Sequence, residues 1–211
     1  PVVVASARYP RTATQRTTRI SNKTSNSFDV LVDNFDGSLG LGTSEVDYLV
    51  FEAGDWTLDD GGTGTQIFAT STNTSVSDGR TLLDDPGGAV VNYPSTFTSP
   101  TVLASIVTVN DPDWAFATVY DGTNVDLPPG VSSLTTFLND NWDADGHTAA
   151  EEIDIIVFEE GGGSNNGVNF DYTTSGSANI SSTPVSVNYG SAYSTTPDVI
   201  IVQALTQLGS D

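Results

Sequence analysis

The chain has 211 residues with neither cysteine nor methionine, and 27 acidic residues against six basic ones give it a net charge of −21. Without cysteine there is no disulfide framework, thiolate nucleophile or cysteine-bound zinc, and so acidic a surface repels nucleic acids and anionic membranes. No apolar run approaches the roughly 18 residues that a membrane-spanning helix needs.

Short β-branched and aromatic runs, separated by Gly, Asn, Asp, Ser and Pro clusters, predict strands nearly throughout. In chain order they fall at 2–7, 16–21, 27–32, 46–52, 66–72 and 88–92, then at 101–107, 115–120, 133–138, 153–158, 169–174 and 185–189. Phe28 to Val32 alternates as a half-buried antiparallel strand should. Val50-Phe51 and Ile155 to Phe158 are continuously apolar, the pattern of a central strand covered on both faces. Residues 148–153 alone suit a turn or two of helix.

The sequence says the same thing twice and begins a third time. Pro1-Val2-Val3-Val4-Ala5-Ser6 returns at Pro100-Thr101-Val102-Leu103-Ala104-Ser105, and more loosely at Pro197-Asp198-Val199-Ile200-Ile201-Val202. Asn34-Phe35-Asp36 matches Asn141-Trp142-Asp143. At the same spacing, the run Glu45 to Gly54 matches Glu152 to Gly161. A fixed-period array is several copies of one smaller problem. The expected organisation is therefore two modules, 1–99 and 100–196, with 197–211 the opening strand of a third or a strand donated to a neighbour. About six antiparallel strands per module predict an all-β chain of two tandem β-sandwiches. The second module carries eight extra residues around 121–130, where repeat arrays place their individual loops.

Charge is unevenly placed. Residues 1–23 hold Arg8, Arg11, Arg16, Arg19 and Lys23 and no acid. This segment reads either as drift among surface residues or as a basic face docking on an acidic neighbour. Val199, Ile200, Ile201 and Val202 form an apolar strand without the sandwich it should belong to. Such a strand seeks pairing in a neighbouring subunit or in the continuing chain.

Arg19-Ile20-Ser21-Asn22-Lys23-Thr24, Ser27-Phe28-Asp29-Val30 and the strand from Val46 to Gly54 together resemble the H-type lectin-like repeat. The second module keeps Trp142, His147 and the strand to Gly161 but lacks the Arg-Asn-Thr turn. The resemblance implies a six-stranded antiparallel sandwich and, in animal members, trimeric binding of N-acetylgalactosamine-type sugars. It also implies tandem use in microbial surface and fibre-like proteins. The loops that hold sugar in the animal members do not align with this chain, so no binding residue carries over.

Three places invite chemistry. Trp56 beside Asp55, Trp114 beside Asp113, and Trp142 each set an aromatic face near carboxylates, which suits a sugar ring. The alternative is tryptophan capping the ends of a β core. Asn141, Asp143 and Asp145, the carbonyl of His147 and the carboxylate of Glu152 occupy positions one, three, five, seven and twelve of a calcium-loop template, with Gly146 at six. Calcium is the ion such a loop would take; nothing else calls for a cofactor. The alternative is an acidic hairpin loop with solvated carboxylates. Asn22, Asn73 and Asn179 fit the glycosylation acceptor pattern at about the frequency chance gives. Glu52, Glu159 and Glu160 end core strands at the sheet rim, but no motif joins nucleophile, base and orienting group. The chain reads as a non-enzyme.

The expected function is a structural repeat segment of an extracellular fibre, filament or adhesin, on a cell surface or as a viral tail fibre. It would join head-to-tail with copies of itself or with neighbouring modules. The alternative is a carbohydrate-binding module that recognises surface glycans.

Overall fold

A computed structural model describes residues 1–8, 16–34, 45–58, 64–77, 87–140, 148–165, 168–173, 193 and 199–201. Thirteen strands make up this part: β1 (Val2–Arg8), β2 (Arg16–Ser21), β3 (Asp29–Asn34), β4 (Glu45–Phe51), β5 (Gly54–Leu58), β6 (Thr65–Thr74), β7 (Ala89–Asn92), β8 (Pro100–Ile106), β9 (Phe116–Tyr120), β10 (Ser133–Asn139), β11 (Glu151–Glu159), β12 (Gly161–Asn165) and β13 (Val168–Tyr172). No helix occurs among the described residues, and 151–153, expected as a helical turn, opens β11 instead. The predicted strand at 185–189 lies outside the described residues.

The layers are set by which strands are apolar on both faces. A six-stranded sheet in the order β3-β2-β8-β11-β6-β5 forms the middle. Ile153, Ile155 and Val157 of β11 and Val102, Ala104 and Ile106 of β8 point to one side. There they meet Val91, Ala117, Val119, Leu134 and Leu138 of the three-stranded sheet β7-β10-β9. Ile156 and Phe158 point the other way with Ile67 and Ala69 of β6. They meet Val2 and Val4 of β1, which pairs with β4. β11 is therefore the central strand that its unbroken apolar run predicts. Val50 and Phe51 are not its counterpart, because β4 pairs only with β1 among the described strands and Val50 is exposed.

The repeat is real in the backbone. β1 pairs β4 with Val2 opposite Phe51, and β8 pairs β11 with the equivalent residues, Thr101 opposite Phe158. Ile20 pairs with Val30 across β2 and β3, and Thr118 with Phe137 across β9 and β10, where the match of Asn34 with Asn141 aligns Val30 with Phe137. The hairpins β5–β6 and β12–β13 agree too, with Gly54 opposite Ala69 and Gly161 opposite Tyr172.

What the repeat does not show is where a unit closes. The expected pair of six-stranded antiparallel sandwiches, each formed from its own half, is replaced by shared sheets. β11 sits between β8 of its own half and β6 of the first half. β10 likewise pairs with β7, also from the first half. β2 joins β8 in parallel, through Arg19 and Ile106, so the middle sheet is mixed. A periodic sequence looks the same wherever it is cut, and only pairing fixes the phase. The closed sandwich runs from β6 to β11, and β1, β4 and Tyr172 of β13 pack together on the other face of the middle sheet, where Tyr172 stacks on Phe158 at 4.2 Å. Gly88 marks the join: at φ +139° its backbone approaches β10 so closely that a Cβ there would lie 2.3 Å from the carbonyl oxygen of Thr136.

The insertion at 121–130 covers the outer face of β9 and β10. The Asp121 carboxylate accepts the amides of Thr123 and Asn124 at 2.7 and 3.0 Å, tightening the loop, and Val125 is buried against Tyr120 and Phe137.

Candidate functional site

The strongest constellation of charged groups is the joint between the two repeats. Arg19 lies on β2 and Glu151 opens β11; their side chains are 1 % and 0 % exposed, and Arg19 Nη2 lies 2.5 Å from Glu151 Oε1. Arg19 Nη1 donates to the carbonyls of Asp111 and Asp113 at 2.8 and 2.9 Å, and Nη2 to that of Thr108 at 3.3 Å. Glu151 accepts the amides of Asn110 at 3.0 Å and Asp111 at 2.9 Å, as well as the Thr108 hydroxyl. Asp111 in turn takes the Thr148 amide at 3.0 Å. A guanidinium fork suits this task, since it spreads several donors in one plane. The loop 107–115 is thereby clamped between a strand of the first half and a strand of the second.

A second buried carboxylate extends the joint. Asp154, in the middle of β11, accepts the Val3 amide of β1 at 2.7 Å, the Ser71 hydroxyl of β6 at 2.5 Å and the Lys23 ammonium at 2.8 Å. Lys23 also reaches Glu152 at 2.8 Å. Burial alone would lower the Lys23 pKa, but its hydrogen bonds and attraction to Asp154 and Glu152 outweigh that and raise it. The Ala5 amide of β1 is taken by the Ser105 hydroxyl at 3.0 Å. Side chains of the middle sheet therefore satisfy the free edge of β1, where pairing with a foreign strand would otherwise occur.

The turn that carries the lectin resemblance has its reason here. Asn22 adopts φ +49°, and the Thr24 hydroxyl accepts the Ser27 amide at 3.0 Å. This bend sets Arg19 and Lys23 against the second half. The sequence offers Asp111 as an acidic neighbour of Trp114 and Glu151 as part of the calcium-type run, not as partners of Arg19, and Asp154 is not singled out at all, although charged residues flanking and interrupting an apolar run are the available signal.

The remaining candidates disperse. Trp56 is exposed on β5 and its indole donates to the Glu52 carbonyl at 3.0 Å, while Asp55 accepts the Ser95 hydroxyl at 2.8 Å. Trp114 is half-buried with its ring edge-on to Phe116, and Asp113 gives its carbonyl to Arg19. β11 and β6 lie between β8, which leads to Trp114, and β5, so the two tryptophans do not share one site. Trp142 lies outside the described residues, as do Asn141, Asp143, Asp145 and His147. The described member of the calcium template, Glu152, is engaged by Lys23. No group of three or more metal-ligating side chains occurs among the described residues. Glu159 accepts the Thr98 and Ser99 amides at 2.8 and 2.7 Å, holding the turn before β8.

Of the assembly residues, Arg8 pairs with Asp47 across β1 and β4 at 2.6 Å. Arg16 begins β2, and Arg11 and Val202 lie outside the described residues. Ile201 packs on the apolar cluster that Val4 and Phe158 share, and the Ile200 amide reaches Asp47 at 3.4 Å, while Val199 is exposed. Ile200 and Ile201 therefore touch their own chain.

Among known proteins, the chain is 31 % identical over 182 residues to halomucin of Haloquadratum walsbyi (strain DSM 16790 / HBSQ001). That stretch is 83 % of this chain but only 2 % of halomucin, so the chain spans a small fraction of its relative's length. No family model matches the chain, and no solved structure does. The all-β architecture thus stands on its own pairing, without a family assignment to the H-type lectins. No helix among the described residues is long and apolar enough to cross a membrane.

Proposed function

We infer that this chain is a structural repeat segment of a large extracellular protein, in which length is gained by copying a β module and joining each copy to the next. The observation that carries this reading is β11 of the second repeat, hydrogen-bonded between β8 and the first repeat's β6. A repeat that supplies a strand to its successor cannot rotate freely against it, which suits a stiff spacer. Similarity to a short stretch of a protein named as a mucin favours an extracellular setting. The high acidic charge favours solubility there.

A second reading is kept by one observation, the exposed Trp56 beside Asp55: a glycan-binding module stacking a sugar on that indole. Electron microscopy with a glycan array separates the two. The structural reading expects elongated particles without glycan binding. Binding to a defined glycan that is lost in Trp56→Ala would overturn it in favour of the lectin.

A further inference from the structure

Two Asn-x-Ser/Thr triplets fall among the described residues, and the fold brings them to one patch. Asn22-Lys23-Thr24 occupies the turn from β2 to β3, and Asn73-Thr74-Ser75 lies at the end of β6. Asn73 is opposite Glu152 of β11, and antiparallel partners project from the same face with their Cβ atoms roughly 5 Å apart. Glu152 in turn holds the Lys23 ammonium at 2.8 Å, and Lys23 is the residue next to Asn22. Two separate hairpins thus bring their acceptor triplets to the rim of the joint. Chance supplies such triplets in a chain rich in Asn, Ser and Thr; it gives no reason for them to converge.

Both asparagines are exposed, as an attached sugar requires, since so bulky and polar a group cannot enter a core. Thr24 and Ser75, the hydroxyl members of the triplets, are exposed as well. The Asn22 carboxamide donates one Nδ2 hydrogen to Asp29 at 2.7 Å, and that nitrogen carries two. A sugar replacing the second hydrogen leaves the bond to Asp29 in place. Neither position owes its exposure to an unfilled edge of the first repeat. Asn73 belongs to the closed sandwich, and β5 stops opposite Ala69, so no strand flanks 70–74 on that side among the described residues. The turn of the second repeat that corresponds to the Asn22 turn, between β9 and β10, likewise keeps Thr123 and Asp126 at the surface.

We propose that Asn22 and Asn73 are a pair of N-glycosylation sites that place sugar over the rim of the joint. This goes beyond the structural-repeat reading and uses only its extracellular setting. The donor is a lipid-linked oligosaccharide, and a membrane-bound transferase joins it to the chain on export. Nδ2 bonds to the anomeric carbon, and the bond from that carbon to the lipid phosphate oxygen breaks. The phosphate leaves with the electron pair, and the Nδ2 proton passes to a base of the transferase. The sugars then stand where the Lys23 and Glu152 side chains, at 16 % and 33 % exposure, open the joint to water.

Mass spectrometry of the chain exported by its own source cells tests this. Cleavage after aspartate releases residues 1–29 and 61–78, each holding one triplet. Both peptides should carry added mass in whole sugar residues. Asn22→Gln or Thr24→Ala should remove it from the first alone, and Asn73→Gln or Ser75→Ala from the second alone. Bare asparagine in either peptide overturns the pair. Sugar that survives both Thr24→Ala and Ser75→Ala also overturns it, because that sugar was not placed through the triplets. Elongated particles formed by a chain without sugar would remove this proposal and leave the structural-repeat reading, whereas Trp56-dependent glycan binding would remove that reading and leave the two asparagines assigned.

Discussion

Replacing Arg19 with methionine tests whether the joint holds the two repeats as one body. The substitution keeps much of the apolar stem and removes a guanidinium that is 1 % exposed. Glu151 would keep the Asn110 and Asp111 amides and the Thr108 hydroxyl. It would lose the guanidinium, and the carbonyls of Thr108, Asp111 and Asp113 would lose a donor. Breaking a buried pair from one side costs about 3–5 kcal/mol. The amides left on Glu151 argue for the lower end, about 3 kcal/mol. For a chain of this size each kcal/mol lowers Tm by about 2–4 °C, so the expected loss is roughly 6–12 °C by calorimetry. Arg19→Lys should fall between, since one ammonium cannot span Glu151 and three carbonyls. A cycle with Glu151→Gln should return a coupling of at least about 1 kcal/mol. A Tm within about 2 °C of the parent for Arg19→Met, or additive single effects, would refute the claim that this pair ties the repeats together.

A chain truncated to residues 100–196 should fail to fold cooperatively by circular dichroism, because β11 and β10 would lose β6 and β7 along their edges. Gly88→Ala should cost about 1–3 kcal/mol in denaturant unfolding, through strain at φ +139° and the approach to Thr136. Lys23 has a pKa above its ordinary value, so its contribution is complete below about pH 10.4 and is lost as pH rises through the folded value. The alkaline fall in stability should be shallower in Lys23→Met, as read by urea midpoints from pH 8 to 12. With a net charge of −21, Tm should climb between about 0.01 and 1 M salt as self-repulsion is screened; a flat response would remove that explanation.

Much of the local structure was legible in the chain. β2 occupies the predicted 16–21, and β11 has the doubly covered character that Ile155 to Phe158 announces. β5 and β12 were not foreseen. Gly54 to Leu58 and Gly161 to Asn165 lack alternation, and they are strands because each is the outer arm of a hairpin. The closing points of the sandwich were illegible for a different reason: periodicity carries no phase. Of the joint, the basic members were visible as an acid-free stretch. Their partners were hidden, because Glu151 and Asp154 look like the ordinary polar positions of a strand until its second face is known to be covered.

β11 passes into β12 with Glu160 as the single residue between them. The strands that shut a sandwich, β6 and β7, also precede those they shut upon. A ribosome would therefore release each closing piece before its seat, and every new copy would complete itself on material already in hand. Folding in such an array would advance like a zip, from the amino end, with the newest half-built unit always the exposed one.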